Sequence, residues 1–297
     1  MGPVLRSGRA PAKLNLALEL IRRRANGYHE LVAVSHTIDW SDVVSLQAAP
    51  REERPLTARP ELQVGGPEAH RVPLGEQNIA VRAALLLGNQ KLARPITRLV
   101  LEKRIPTQSG LGGGSADAAA VLRLAGREMD PQELARIALE CGADVPFGLL
   151  GGACHLSGIG EVISPLPPLS SGAFVIVVLA PVATVAAYAA TEPNDFSDGS
   201  RVERLAAAMR QGLPADPELF GSGLQAAAMR AVPTLARRWE ELAQATPGVN
   251  WAMTGSGGAF FTYQRDGAAA AKVAGTAAAA CPQAGIRVAL PLPAEVA

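Results

Sequence analysis

Three sets of residues have the types and spacing to do chemistry. The first is the run KRIPTQSGLGGGSADAAA, residues 103–120, in which Gly110, Gly112, Gly113 and Gly114 crowd into five positions. Glycines let successive backbone N–H groups turn toward one point without Cβ clashes. A helix-favouring segment, Ala116 to Leu124, follows at once. Its unsatisfied N–H groups and the positive end of its dipole would face the same point, the chemistry of anion binding and above all of phosphate. A tight turn needing positive φ is the plainer account, but a turn needs fewer glycines. The second set is Asp144, set in the tight apolar segment GADVPF. Aspartate beside glycine and proline commonly serves a turn or a cap; the alternative is a carboxylate held near the phosphate loop. The third set is polar residues around the first strand: Lys13, Asn15, Tyr28 and His29.

The common phosphate-loop patterns do not fit. Counted from Gly110, a Walker loop needs glycine at Ser115 and lysine at Ala116, and the dinucleotide pattern G-x-G-x-x-G also needs glycine at Ser115. No lysine lies inside the glycine cluster, so a cation for bound phosphate must come from elsewhere. Ser115 falls where the helix is expected to begin. Its hydroxyl is placed to cap the helix, or to touch a phosphate or a magnesium ion.

The elements that position these residues follow from periodicity. AKLNLALEL, residues 12–20, alternates Leu14, Leu16, Leu18 and Leu20 with Lys13, Asn15, Ala17 and Glu19. That predicts a half-buried strand with Lys13 and Asn15 on the face opposite the leucines, where a lone lysine is most simply solvated. Asn26-Gly27 predicts a hairpin into a second strand through Ile38, with Tyr28 and His29 at its corner. There an aromatic packed on a turn and a solvated histidine is the plain account. Residues 50–75 are polar, with weak strand signals. Asn78 is expected to cap a helix beginning at Ile79, and Thr97 to Glu102 to form the strand feeding the glycines. A helix from Asp130-Pro131 is expected to end at Gly142. A Pro165 to Gly172 link divides the chain into domains 1–165 and 166–297. The second half reads β-α-α-β-β-α-β, with helices at 201–209, 224–245 (broken near Pro233) and 267–280 and strands at 173–179, 250–254, 259–263 and 286–290, besides a short helix at 184–190. That order predicts an α+β sandwich of ferredoxin type. The second glycine cluster, Gly255-Ser256-Gly257-Gly258, is a hairpin or a further anion contact.

Composition narrows the function classes. Apolar residues make up 48%, charged residues 19%, and net charge is +1 over 297 residues. Nothing there predicts a nucleic-acid surface or a polybasic membrane face. Cys141, Cys154 and Cys281 lack metal-ligand spacing, and His29, His36, His70 and His155 form no H-x-x-x-H pair. The longest apolar run, Ala173 to Ala180, is too short to span a bilayer. The expectation is a cytoplasmic protein acting on a small molecule, without nucleic-acid or membrane partners.

Taken in order, PAKLNLALEL with ANGYHEL, KRIPTQSGLGGGSADAAAVL with GADVPF and GGACHLSGIGEVISPLP, and TGSGGAFF resemble the GHMP small-molecule kinases over nearly the whole chain. The GYHEL and GADVPF segments resemble the branch acting on 4-diphosphocytidyl-2-C-methyl-D-erythritol in the non-mevalonate isoprenoid pathway. The resemblance implies a two-domain architecture, an N-terminal domain with a left-handed βαβ unit and a C-terminal ferredoxin-like α/β sandwich. It implies ATP and magnesium as cofactors and transfer of the γ-phosphoryl to the substrate 2-hydroxyl. The matching catalytic positions are Lys13 and Asp144, with Asp144 as general base. The matching ATP positions are Pro106, Thr107, Gln108, Ser109, Gly110, Leu111, Gly112, Gly113, Gly114, Ser115 and Ala116, with Asn78 and Lys103 near the nucleotide. The matching substrate positions are Asn15, Tyr28, His29 and Thr184. No magnesium ligand is assigned.

The chain departs from the family pattern at Thr107-Gln108-Ser109, where many relatives carry glycines, at Ser222-Gly223 in place of asparagine-aspartate, and at Gly258. Two other readings share these motifs. One is a GHMP kinase for another alcohol, which would leave the Tyr28-His29 corner without a cytidine to stack on. The other is a non-catalytic nucleotide- or RNA-binding protein of the same βαβ fold, which gives Lys13 and Asp144 no task.

Overall fold

The computed structural model describes residues 4–49, 59–90, 95–169 and 171–294. Residues 50–58, the start of the polar 50–75 stretch, and Ser170 of the link lie outside these. Two strands of 20 residues dominate, β1 (Val4–Arg23) and β2 (His29–Ala48), antiparallel and joined at Asn26-Gly27. Gly27 has φ +86°, and its N–H donates to Arg24 O at 3.0 Å. That is the left-handed conformation an Asn-Gly turn supplies. Next come β3 (Glu61–Gly65), α1 (Ile79–Gly88) and β4 (Ile96–Glu102), with β3 and β4 paired in parallel across the helix. Then follow α2 (Gly113–Ala125), α3 (Pro131–Cys141), the short α4 (Val145–Leu150), β5 (Ala153–Ser157) and β6 (Val162–Leu166). Asp130 caps α3, its carboxylate accepting from Gln132 N and Glu133 N, and Gly142 ends it.

The second half contains β7 (Ala173–Val178), α5 (Thr184–Ala189), α6 (Ser200–Arg210), β8 (Gly221–Ser222), α7 (Gln225–Ala231), α8 (Pro233–Ala245), β9 (Ala252–Met253), β10 (Ala259–Gln264), α9 (Gly267–Ala280) and β11 (Gly285–Ala289). Its sheet runs β11-β7-β10-β9, all antiparallel. Fourth, first, third, second is the split-βαβ order expected for a ferredoxin-like sandwich. Period two decides the packing of β7. Val175 and Val177 meet Leu235, Leu242, Ala270 and Ala277 of α8 and α9. Phe174 and Ile176 turn the other way, into a core with Leu14, Leu16, Val34 and Ile38.

The half-buried reading of β1 is corrected by the burial of its polar face. The strand is covered on both faces from Ala12 to Leu20, and Lys13 and Asn15 are 8% and 3% exposed. A register shift between Asn15 and Ala17 also breaks the alternation. The first sheet runs β3-β4-β2-β1-β8, with β5 on β2 and β6 on β5. The pairing of β8 with β1 is parallel, Ala17 with Gly221 and Leu18 with Ser222. Residues 290–292 return to the middle of β2, where Leu292 N–H donates to Thr37 O and Asp39 N–H to Leu290 O. The expected division at 165–166 falls at the end of β6, the last strand of the first sheet before β7 opens the second. Among the described residues, no helix is long and apolar enough to cross a membrane.

Candidate active site

β4 leads directly into the glycine loop, and α2 leaves it at Gly113. Gly112 precedes the helix with φ +72°, a left-handed turn that starts the helix two residues before Ser115. Ser115 is therefore the third helical residue, and the expectation that it caps the helix is corrected. A Cβ on Gly112 would lie 3.1 Å from Lys13 Cε, and one on Gly110 (φ +80°) would lie 2.3 Å from Thr254 O. The glycines thus bring the loop against the lysine stem on one side and the second glycine cluster on the other. That cluster is the β9–β10 hairpin. Ala259 N–H donates to Ser109 O at 2.9 Å, and Val182 N–H to Gln108 O at 2.8 Å. A Cβ on Gly258 would meet Gln108 O and Ala180 O at 2.7 Å, so only glycine fits there. Gln108 itself has φ +55°, the one non-glycine at positive φ among the described residues.

Lys13 and Asp144 are brought together. Lys13 lies opposite Thr37 in the β1–β2 register, and its N–H donates to Leu111 O at 3.0 Å. Its ammonium bonds Asn15 Oδ1 and stands 3.7 Å from Asp144 Oδ2. Asn15 is itself held, donating from Nδ2 to Ser35 Oγ at 2.7 Å and from its N–H to Thr254 Oγ1 at 2.8 Å. Asp144 occupies the capping position of α4 but makes no side-chain cap bond. Its carboxylate, 45% exposed, is left for Lys13 and solvent. Gly112, Ser115 and Ala116 line one cavity with Lys13 and Asp144.

The hairpin corner is split between two environments. Tyr28 is 60% exposed, so it does not pack on the turn. His29 is buried rather than solvated, stacked on Phe196 at 5.9 Å, tilted on Tyr188 at 5.1 Å and hydrogen-bonded to Thr191 Oγ1 at 3.0 Å. Burial, then the nearby Arg23 guanidinium, lower its pKa, so the ring is neutral at pH 7. Tyr188 is held protonated by burial and by the field of Asp144, which ties this wall to the Lys13–Asp144 pair. Sequence reasoning missed Tyr188, Thr191 and Phe196, because only the fold brings residues 188–196 to residue 29. Thr184, the first residue of α5, bonds Ser256 Oγ at 3.0 Å. Ser222 Oγ donates to Gly255 O at 2.6 Å, placing this departure from the family pattern behind the hairpin.

Two expected nucleotide residues are turned inward. Asn78 caps α1, accepting from Ala80 N at 3.0 Å and donating to Pro73 O at 3.0 Å. Lys103 is 2% exposed, and its ammonium is bonded by Asp42 and Asp117. Burial works against the charge, but the two carboxylates outweigh it and hold the lysine pKa up. Lys103 thus lies beneath the loop, its ammonium held by the two aspartates. Burial pushes Asp117 up to about 7, with Lys103 opposing and Asp42 adding to the rise.

Known proteins resemble this chain in sequence and fold. The GHMP kinases N terminal domain family matches residues 78–152. The 4-diphosphocytidyl-2-C-methyl-D-erythritol kinase of Polaromonas sp. strain JS666 is 37% identical over 262 residues, 85% of this chain and 81% of that one. The kinase of the same name from Deinococcus radiodurans is 36% identical over 294 residues, 94% and 91% of the two chains. A crystal structure of 4-(cytidine 5'-diphospho)-2C-methyl-D-erythritol kinase superposes with TM-score 0.71 at 32% identity, covering 96% of this chain and 99% of that one. Homoserine kinase from Cytophaga hutchinsonii, at 17% identity and TM-score 0.69, shares the fold. The agreement runs from β1 through the glycine loop to the C-terminal sheet, and on that ground the chain belongs to the 4-diphosphocytidyl-2-C-methyl-D-erythritol kinase family of the GHMP kinases.

Proposed function

We propose that the chain transfers the γ-phosphoryl group of ATP to the 2-hydroxyl of 4-diphosphocytidyl-2-C-methyl-D-erythritol, in the non-mevalonate route to isoprenoids. The observation that carries the chemistry is the uncapped Asp144 carboxylate, 3.7 Å from the Lys13 ammonium beside the start of α2. Phosphoryl transfer depends on in-line positioning and charge neutralisation more than on covalent help. N–H groups from Gly110 to Ser115 hold phosphate oxygens at the helix start. Asp144 takes the proton of the 2-hydroxyl as its oxygen attacks phosphorus and ADP leaves. Lys13 orients Asp144 and offsets the charge that develops. Asn15, fixed by Ser35 and Thr254, holds the ammonium in place. Exposed Tyr28, with neutral His29 behind it, receives the cytosine, and Thr184 lies on the acceptor side of α5.

Magnesium usually binds through one or two carboxylates, waters and the substrate phosphates. Among the described residues, no three His, Cys, Asp or Glu side chains converge on a metal position. That donor set fits a magnesium ion carried on ATP, where it would neutralise phosphate charge, and we assign it no side-chain ligand.

The test is turnover. Purified protein with ATP and magnesium is expected to release ADP with the diphosphocytidyl acceptor and not with mevalonate or homoserine. Turnover of only a simple alcohol would overturn the substrate assignment. Asp144→Asn is expected to lower kcat by about 10²–10⁴ while ATP affinity stays near wild type. Wild-type kcat in that variant would remove Asp144 from the mechanism.

A further inference from the structure

Three charged side chains form a closed cluster beneath the glycine loop. Asp42 is 0% exposed, and Lys103 and Asp117 are each 2% exposed. They come from three different elements: β2, the residue just after β4, and the second turn of α2. The Lys103 ammonium bonds Oδ2 of both aspartates. The remaining oxygen of Asp42 accepts from Arg104 N at 2.5 Å and Ile105 N at 2.8 Å, the first two backbone donors of the loop. The Arg104 carbonyl accepts from Trp40 Nε1 at 2.9 Å. A Cβ on Gly113 would stand 3.5 Å from Asp42 Oδ2 and 3.0 Å from Ile105 Cγ2. The cluster therefore grips both the entrance of the loop and the helix that leaves it. One oxygen, Asp117 Oδ1, has no hydrogen-bond partner.

We infer that Asp42, Lys103 and Asp117 are positioning residues for the proposed nucleotide loop, acting through its backbone and not by touching the nucleotide. Buried ion clusters are poor stabilisers, since desolvation offsets most of their attraction, and apolar replacements of similar volume often do as well or better. An unpartnered buried carboxylate oxygen adds to that cost. Stability is thus a weak reason for such a cluster. Geometry is a stronger one. A glycine-rich loop is flexible, and fixing its conformation costs more entropy than for any other composition. Clamping Arg104, Ile105 and α2 to the rigid strand β2 limits that freedom before any phosphate arrives. The ammonium joins the two sides, and Asp42 supplies hydrogen-bond acceptors that an apolar residue lacks.

The inference rests on the kinase reading above, and its test separates the two. Wild-type turnover with ATP is the condition for that reading. Given it, the triple variant Asp42→Asn, Lys103→Met, Asp117→Leu removes all three buried charges and keeps an acceptor at position 42. It is expected to unfold at or above the wild-type temperature, with an ATP KM raised on the order of ten- to a hundredfold and an unchanged acceptor KM. A folded triple variant with wild-type ATP KM would overturn the inference, as would equal rises in both KM values. If the variant does not fold, amide hydrogen exchange on the ligand-free wild type decides. Arg104, Ile105 and Asp117 amides are expected to be protected like those of β2. Exchange as fast as at Thr107 to Ser109 would show that the cluster does not hold the loop.

Discussion

Replacing Gly110 by alanine probes the contact between the glycine loop and the C-terminal hairpin. At φ +80° the new residue takes the left-handed region, at a cost of roughly 1–2 kcal/mol. Its Cβ would also lie 2.3 Å from Thr254 O, at least 0.7 Å short of the 3.0 Å that real contacts respect. Neither partner is a flexible side-chain end, so backbone must move. Thr254 also binds Asn15 N–H through Oγ1 at 2.8 Å, and Asn15 holds the Lys13 ammonium. A shift of the hairpin is therefore passed to Lys13, the proposed catalytic lysine. Gly248 supplies the control, with φ +79° and nothing within 4 Å of where a Cβ would stand. Gly248→Ala is expected to cost the backbone strain alone and to leave turnover unchanged. Gly110→Ala is expected to cost about 1–3 kcal/mol more and to lower kcat/KM for ATP by roughly tenfold to a hundredfold. Urea denaturation and steady-state kinetics read the two quantities. Equal stability losses, with wild-type kcat/KM in both variants, would refute the argument that the loop is braced from the other half of the chain.

Two further outcomes follow from the side chains around the site. Tyr28→Ala, which removes a largely exposed ring, is expected to raise the acceptor KM roughly threefold to tenfold without changing the ATP KM or the melting temperature; an unchanged acceptor KM would count against cytosine stacking. His36 is buried with both ring nitrogens committed, Nδ1 donating to Thr37 O at 2.8 Å and Nε2 accepting from Leu169 N at 3.0 Å. Burial lowers its pKa below the usual 6.5, with the Thr37 hydrogen bond opposing. The neutral ring therefore contributes stability that is fully present above pH 6.5 and is lost as pH falls from there toward the lowered folded value. Urea denaturation at stepped pH should show a fall of up to about 1.4 kcal/mol per pH unit that is smaller in His36→Asn; identical profiles would mean the ring titrates freely.

Much of this was legible in the residues because local chemistry decides it. Asn26-Gly27 makes its turn, Asp130 and Asn78 cap their helices, and α9 occupies the alanine run from Gly267 to Ala280. The continuous apolar run of β7 was legible as a strand, and its partners on either face were not. Errors arose where distant segments cover one another. β1 alternates like a strand with one wet face, but the glycine loop lies against Lys13 and the β9–β10 hairpin against Asn15, closing that face. The pairing of Lys103 with Asp42 and Asp117, 61 and 14 residues away, was not legible either, because only the fold brings the three together. The two-residue β8 and the six-residue α4 are too short to carry a periodic signal. Asp144 was found and its capping role excluded only by geometry, since sequence does not say whether an aspartate in that position turns its oxygens back to the helix.

The return of residues 290–292 to β2 has a consequence for how the enzyme comes into being. Leu290 N–H donates to Asp39 Oδ1 across 251 positions, beside Thr37, the strand partner of Lys13. At about 5–20 residues per second, translation delivers that last segment some tens of seconds after β2 leaves the ribosome. Through that interval the middle of β2 offers an open backbone edge next to Lys13, a surface that strands of other chains can pair with. The nascent kinase is thus exposed to misassembly beside Lys13, and synthesis of residues 290–292 is what closes the gap.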